Sequence, residues 1–337
     1  MEREPNLQKV ATALVASGKG ILAADESFGT ITKRFQAIGI ESTDTSRRDY
    51  RETLMSSPGL GQHISGVILF DETLRQKTAD GTPIPELLKK QGIAPGIKVD
   101  KGAKPLAFFS DEKITEGLDG LRDRFAEYKA LGATFAKWRA VIRIGPKIPT
   151  SFCMKANAHA LARYAALAQE AGLVPIVEPE VLMDGDHTIE RCEEVTERVI
   201  GQVFRELSKH RIQLEGMLLK PNMIVPGKDC PTQASVQQVA EATLRCLKRT
   251  VPPAVPGIVF LSGGQSDVLA TQHLNALNRL GPLPWQLSFS YGRALQDAAL
   301  KSWSGKKENV AAAQKALSHR AQANGLARSG KYEDAMK

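Results

Sequence analysis

Short apolar runs that stop at Gly, Pro or a charged residue recur along the chain: ILAAD (21–25), ISGVILF (64–70), APGIKVD (94–100) and TFAKWRAVI (134–142). LVPIVEPE (173–180), GMLLKP (216–221), GIVFLSGG (257–264) and WQLSFS (285–290) continue the series. The gaps hold stretches such as NAHALARYAALAQEAG and SVQQVAEATLRCLKRT, whose apolar residues return at helical period. Strand alternating with helix is the signature of parallel βαβ units. Eight units in one chain predict an α/β fold, a closed (β/α)8 TIM barrel, with an open doubly wound sheet as the alternative.

The ends of the chain extend this pattern. NLQKVATALVASGKG places Leu7, Val10, Leu14 and Val15 at helical spacing and predicts a helix over about 6–18, packed on the bottom or side of the barrel. The barrel is expected over about 20–300, with GRALQDAALKSWSG closing it. C-terminal helices are expected over about 305–330. No shift of composition marks a boundary, so a single domain over 1–337 is expected.

Strands of a parallel barrel are covered on both faces and read as almost continuously apolar. In this chain the exceptions gather near the C-terminal ends of the candidate strands: Asp25, Asp71, Lys98 with Asp100, Lys137 with Arg139, Glu178 with Glu180, and Lys220. Residues two apart on a strand share a face, so Lys137 and Arg139 point one way, as do Glu178 and Glu180. If that way is inward, Trp138 and Val177 face the helices, and the charges cluster at the mouth where barrel enzymes place their chemistry. A set of buried ion pairs that only satisfy one another is the structural alternative.

A lysine in a desolvated pocket beside another cation loses its proton more easily and can attack a carbonyl, forming a Schiff base. Lys220, between Leu219 and Pro221, has such a setting, and carboxylates such as Glu178 and Glu180 can move protons if one of them titrates near working pH. The turns FLSGGQS and SFSYGRALQ lead from the last two strands into helices; their glycines, Ser262 and Arg293 suit a phosphate. DESFGTITKR offers a second anion site through Ser27, Gly29, Thr30, Lys33 and Arg34, although a capped helix start with surface cations reads equally well.

Composition narrows the partners. The formal net charge of +8 suits an anionic ligand, but with aromatics at 6% and no basic block, nucleic acid is not expected. There is no run of 18 apolar residues and no leader, so no membrane association is expected and the chain reads as cytoplasmic. The four cysteines lack metal or redox spacing, and the six histidines are scattered, so no metal and no cofactor is expected.

In order along the chain, ILAADES, GIKVDKG, FAKWR, PIVEPE, LLKPNM, FLSGGQS and SYGRALQ resemble the class I fructose-bisphosphate aldolases, from about residue 14 to about residue 332. The resemblance implies metal-independent, reversible cleavage of D-fructose 1,6-bisphosphate to dihydroxyacetone phosphate and D-glyceraldehyde 3-phosphate, in glycolysis and gluconeogenesis. It implies Lys220 as the Schiff-base former at C2, Glu178 as principal acid/base, and Asp25 as assistant in removing the C4 hydroxyl proton. Lys137 and Glu180 would tune charge around the nucleophile. Arg139 and Lys98 would lie on the aldehyde side, Ser27 and Thr30 toward the C6 phosphate, and Ser262, Gly263, Gly292 and Arg293 around the C1 phosphate. Sugar phosphates are the expected small-molecule partners, and a homotetramer is the expected assembly.

Two departures accompany the resemblance. Animal and plant members carry a further tail ending in tyrosine that assists proton exchange at the enamine carbon, whereas this chain ends GKYEDAMK, pointing to a bacterial-type member or a shortened chain. SFGT stands where many members have a second serine, which bears on Thr30. The same chemistry on fructose 1-phosphate or sedoheptulose 1,7-bisphosphate is an open alternative, as is an added polyanion-binding scaffold role.

Overall fold

A computed structural model describes residues 6–333; the end of GKYEDAMK, residues 334–337, lies outside the described residues. The first half contains helix α1 (Leu7–Leu14), strand β1 (Gly20–Ala24), helices α2 (Phe28–Gln36) and α3 (Asp44–Met55), and strand β2 (Ile64–Leu69). Helices α4 (Asp71–Arg75) and α5 (Ile84–Lys90) lead to β3 (Ala94–Lys98), followed by the short strands β4 (Ala103–Pro105) and β5 (Lys113–Thr115) and helix α6 (Leu121–Ala130). Next come β6 (Phe135–Ile142), α7 (Ser151–Glu170), β7 (Val174–Val181), α8 (Ile189–Lys209) and β8 (Leu218–Leu219). The chain continues through α9 (Val236–Thr250), β9 (Gly257–Phe260), α10 (Asp267–Arg279), β10 (Gln286–Tyr291), α11 (Arg293–Trp303) and α12 (Val310–Ala327).

Eight strands close into a parallel barrel in the order β1-β10-β9-β8-β7-β6-β3-β2. The expected (β/α)8 architecture therefore holds, and the open sheet is excluded. Each strand divides its residues between two layers. Leu22, Ala24, Ala136, Trp138, Val177 and Leu219 face the helices in the larger apolar cluster. Ile21, Ala23, Phe135, Val174, Ile176, Leu218 and Val259 fill the barrel interior with Leu14 and Val15 of the N-terminal segment.

Two glycines make that interior possible. A Cβ on Gly96 would lie 2.2 Å from the Phe135 ring, and one on Gly257 would lie 2.5 Å from Val15, so larger residues would displace these fillers. The predicted N-terminal helix is real but ends at Leu14, earlier than its apolar spacing suggests. The following residues turn up to the barrel through Gly18, which holds the left-handed conformation at φ 70°.

Two local differences from the sequence pattern matter for the site. The sixth barrel strand, β8, keeps strand geometry for two residues only, leaving Lys220 just beyond it. The antiparallel hairpin β4–β5 lies between the third and fourth barrel strands, too short and too polar to show as a period. Helix starts are capped as their sequences suggest: Ser235 and Gln238 form a capping box on α9, and Thr188 accepts from the Arg191 amide on α8.

Candidate active site

On four barrel strands the chemistry of the inward row changes partway up. Ile21 and Ala23 lead to Asp25, Phe135 to Lys137 and Arg139, Ile176 to Glu178 and Glu180, and Leu218 to Lys220. The lower barrel is thus apolar and the upper barrel ionic, with Lys137, Glu178, Glu180 and Lys220 only 3–6% exposed. A cavity of about 830 Å³ opens above them, large enough for a phosphorylated sugar. The residues to which the family resemblance gives a role all line it: Asp25, Ser27, Thr30, Lys98, Lys137, Arg139, Glu178, Glu180, Lys220, Ser262, Gly263, Gly292 and Arg293.

Glu178 is the hub. Its Oε1 lies 3.3 Å from Lys220 Nζ and its Oε2 lies 3.1 Å from Lys137 Nζ, while Lys137 also reaches Asp25 Oδ2 at 2.8 Å. Arg139, whose Cα is in register with that of Glu178, turns its guanidinium to Glu180 instead. The main chain fixes the nucleophile candidate from both sides. Lys220 N donates to Val177 O at 2.8 Å, and the Leu261 amide donates to Pro221 O at 3.1 Å.

The two lysines are driven apart in acidity. Burial pushes Lys220 down, and the Lys137 ammonium adds to that, against the opposing pull of Glu178. Burial also penalises the Lys137 cation, but Asp25 and Glu178 outweigh it and hold that ammonium well above the usual lysine range. Lys220 is therefore the amine that becomes neutral first, and Lys137 the one that stays charged.

The carboxyls depart from the sequence expectation of a raised acid. Burial alone would raise Glu178, but Lys137, Lys220 and Arg139 together hold it below the ordinary carboxylate range. Burial is likewise outweighed at Asp25, by Lys137, Lys98 and Lys220. In the free site both groups start as bases, because the cations paired with them outweigh the cost of burying their charge.

Two flanks of the cavity suit anions. On one, Ser262 precedes Gly263 and Gly264, which hold left-handed conformations at φ 57° and 90°. The next turn carries Gly292 and Arg293 at the start of α11, and a Cβ on Gly264 would lie 3.5 Å from Arg293 Nη2. On the other flank Ser27 Oγ and Thr30 Oγ1 lie 3.2 Å apart at the start of α2. Arg34 also lines the cavity, but its neighbour Lys33 turns outward and Gly29 stays clear of it, so those two leave the proposed anion site.

The sequence reading passed over Glu26. This buried carboxylate accepts from Arg34 Nη1 at 2.8 Å, Arg51 Nη2 at 3.3 Å and Gln296 Nε2 at 2.9 Å, fixing the arginine that faces the cavity. The available signal was its place inside DES at a strand end. Asp100 was noted, yet its part is structural as well: its Oδ1 accepts from the Gly102 amide at 3.2 Å at the turn into the hairpin.

Residues 6–337 match the model of the family described as fructose-bisphosphate aldolase class-I. The chain is 60% identical to a probable fructose-bisphosphate aldolase class 1 of Xanthomonas campestris pv. campestris, over 97% of this chain and 98% of the relative. It is 57% identical to fructose-bisphosphate aldolase 1 of Toxoplasma gondii, over 97% and 90% of the two chains. Among solved structures, the Plasmodium falciparum fructose-bisphosphate aldolase in a ternary complex with TRAP and a small-molecule inhibitor superimposes with a TM-score of 0.96. It shares 52% identity and covers 97% of this chain and 95% of that one. A barrel whose mouth pairs a depressed lysine with ionised carboxylates, together with these similarities, places the chain in the class I fructose-bisphosphate aldolase family.

Proposed function

We propose that this aldolase cleaves D-fructose 1,6-bisphosphate reversibly to dihydroxyacetone phosphate and D-glyceraldehyde 3-phosphate, with Lys220 as the Schiff-base residue. The observation that carries the assignment is a buried amine, pushed below the ordinary lysine range, 3.3 Å from an ionised carboxylate.

In this reading Glu178 takes a proton from the Lys220 ammonium. The free amine adds to the C2 carbonyl, giving a carbinolamine, and Glu178 returns its proton to the C2 hydroxyl, which leaves as water. The resulting iminium draws the C3–C4 electron pair toward C2 as that bond breaks. The C4 hydroxyl proton passes to Asp25, the C4–O bond becomes the aldehyde carbonyl, and the three-carbon remnant stays on Lys220 as the enamine. Protonation at C3 and addition of water then free the ketone. Lys137, charged throughout, holds Asp25 and Glu178 in their starting ionised forms.

Arg139, with Glu180, and Lys98 would border the aldehyde half. Ser262, Gly263, Gly292 and Arg293 would take the C1 phosphate, and Ser27 and Thr30 the C6 phosphate. The proposal includes a single domain over 1–337, a cytoplasmic location and a homotetramer, supported by the family resemblance; among the described residues no helix is long and apolar enough to cross a membrane.

Borohydride reduction in the presence of fructose 1,6-bisphosphate, followed by peptide mapping, tests the assignment. The expected product is one reduced adduct on Lys220. An adduct on another lysine, or none, overturns it.

A further inference from the structure

We propose that His159, Glu206 and His210 form a site for a zinc-class divalent transition metal, which clamps α7 to the C-terminal end of α8. His159 lies midway along α7, while Glu206 and His210 lie four apart on one face at the end of α8. One ligand atom from each of the three lies within 4.8 Å of those of the others. None of them lines the mouth cavity, so the site is separate from the catalytic residues.

The donor set is two imidazoles and a carboxylate, the combination that suits zinc with an open fourth position. His210 is prepared for the role. Its Nδ1 lies 2.9 Å from the Glu206 carbonyl oxygen, so that nitrogen donates and the other ring nitrogen keeps its lone pair. Glu206 is the buried member, 4% exposed, and its Oε2 lies 3.5 Å from His159 Nδ1. The two rings meet edge to face with centroids 5.1 Å apart.

Tetrahedral zinc with bonds near 2.0–2.1 Å needs its ligand atoms about 3.3 Å apart. Rotation of His159, which is exposed and stands beside an open surface cavity that both histidines line, supplies the remaining approach. The competitor is Lys209, whose Nζ lies 2.9 Å from Glu206 Oε1, with its side chain 64% exposed and free to swing into solvent. Two cations would otherwise share one carboxylate. A divalent ion replaces the lysine's single charge and draws both imidazoles into bonds with it.

The test is calorimetric titration of the chelator-stripped protein with zinc chloride, with cobalt(II) absorption as a second readout of coordination. One zinc per chain is expected at micromolar or tighter affinity, with His159→Gln and His210→Gln each weakening it at least tenfold. Lys209→Met is expected to tighten zinc binding severalfold, an outcome that misfolding cannot mimic. Sugar-phosphate cleavage by all three variants should match the parent. Zinc affinity unchanged by either histidine substitution, or failure of micromolar zinc to bind the parent, overturns the proposal. So does a Lys209→Met affinity no tighter than the parent's.

Discussion

Lys220 and Lys137 stand on opposite oxygens of one carboxylate, 3.3 Å from Glu178 Oε1 and 3.1 Å from Glu178 Oε2. Burial and the Lys137 charge both favour loss of the Lys220 proton. An ordinary lysine titrates near 10.4. The rate at which Lys220 is modified by pyridoxal phosphate and borohydride should therefore rise with pH through a midpoint below that value. In Lys137→Met the repelling charge is gone, so the midpoint should move up. A midpoint at the ordinary value in the parent would sink this account.

Glu178→Gln keeps the side chain's shape and one acceptor oxygen for the two lysines but can neither take nor return a proton. Cleavage should fall about 10²- to 10⁴-fold in kcat with KM for the bisphosphate little changed. Borohydride should still trap substrate on Lys220 at long incubation. A variant with near-parental kcat would remove Glu178 from the proton path.

Removing a shared cation is costly to the fold. Lys137→Met leaves Asp25 and Glu178 buried with less compensation, and urea unfolding should show a loss of about 3–5 kcal/mol. Adding Asp25→Leu should restore part of that loss, since an apolar pair replaces a broken ionic one. Arg139→Ala provides the contrast: its side chain is 43% exposed, so its pairing with Glu180 should contribute far less to stability.

If the C1 phosphate sits on the Ser262 side as proposed, its binding should depend on backbone as well as charge. A methyl group on Gly264 would meet Met183 Sδ at 3.2 Å and crowd Arg293, in a conformation that side chains rarely adopt. Gly264→Ala should raise KM for the bisphosphate at least tenfold. Arg293→Ala should raise it about 10- to 150-fold, for loss of a charge-assisted contact of about 1.5–3 kcal/mol. Inhibition by inorganic phosphate should weaken in parallel; unchanged inhibition would place the phosphate elsewhere.

The Ser27 flank makes a separable claim about the second phosphate. Arg34→Ala should lower kcat/KM for fructose 1,6-bisphosphate while leaving that for fructose 1-phosphate near the parent's. Equal losses on both sugars would show that Arg34 supports the site generally.

Alternation along the strands carried most of the site, because Lys137 with Arg139, and Glu178 with Glu180, each had to share a face. What alternation could not show was reach. Lys33 and Arg34 are neighbours in sequence, yet one helical step turns the first to solvent and the second to the cavity. Glu26, in the turn between β1 and α2, reads as a surface charge until Arg51 of α3 is found against it. The depressed Glu178 had no local sign either, since its acidity is set by cations from β6 and from the end of β8. His159 met His210 only through the packing of two helices, although the four-residue spacing of Glu206 and His210 was present in the sequence all along.

The floor of the barrel, where Leu14, Val15 and Phe135 close the interior, governs traffic. Among the described residues these side chains pack the lower interior and the cavity opens above, so the two halves of a cleaved sugar would leave through the doorway by which it entered. The half that leaves last blocks the next arrival, so release order and product inhibition trace back to a few apolar side chains at the opposite end from the chemistry.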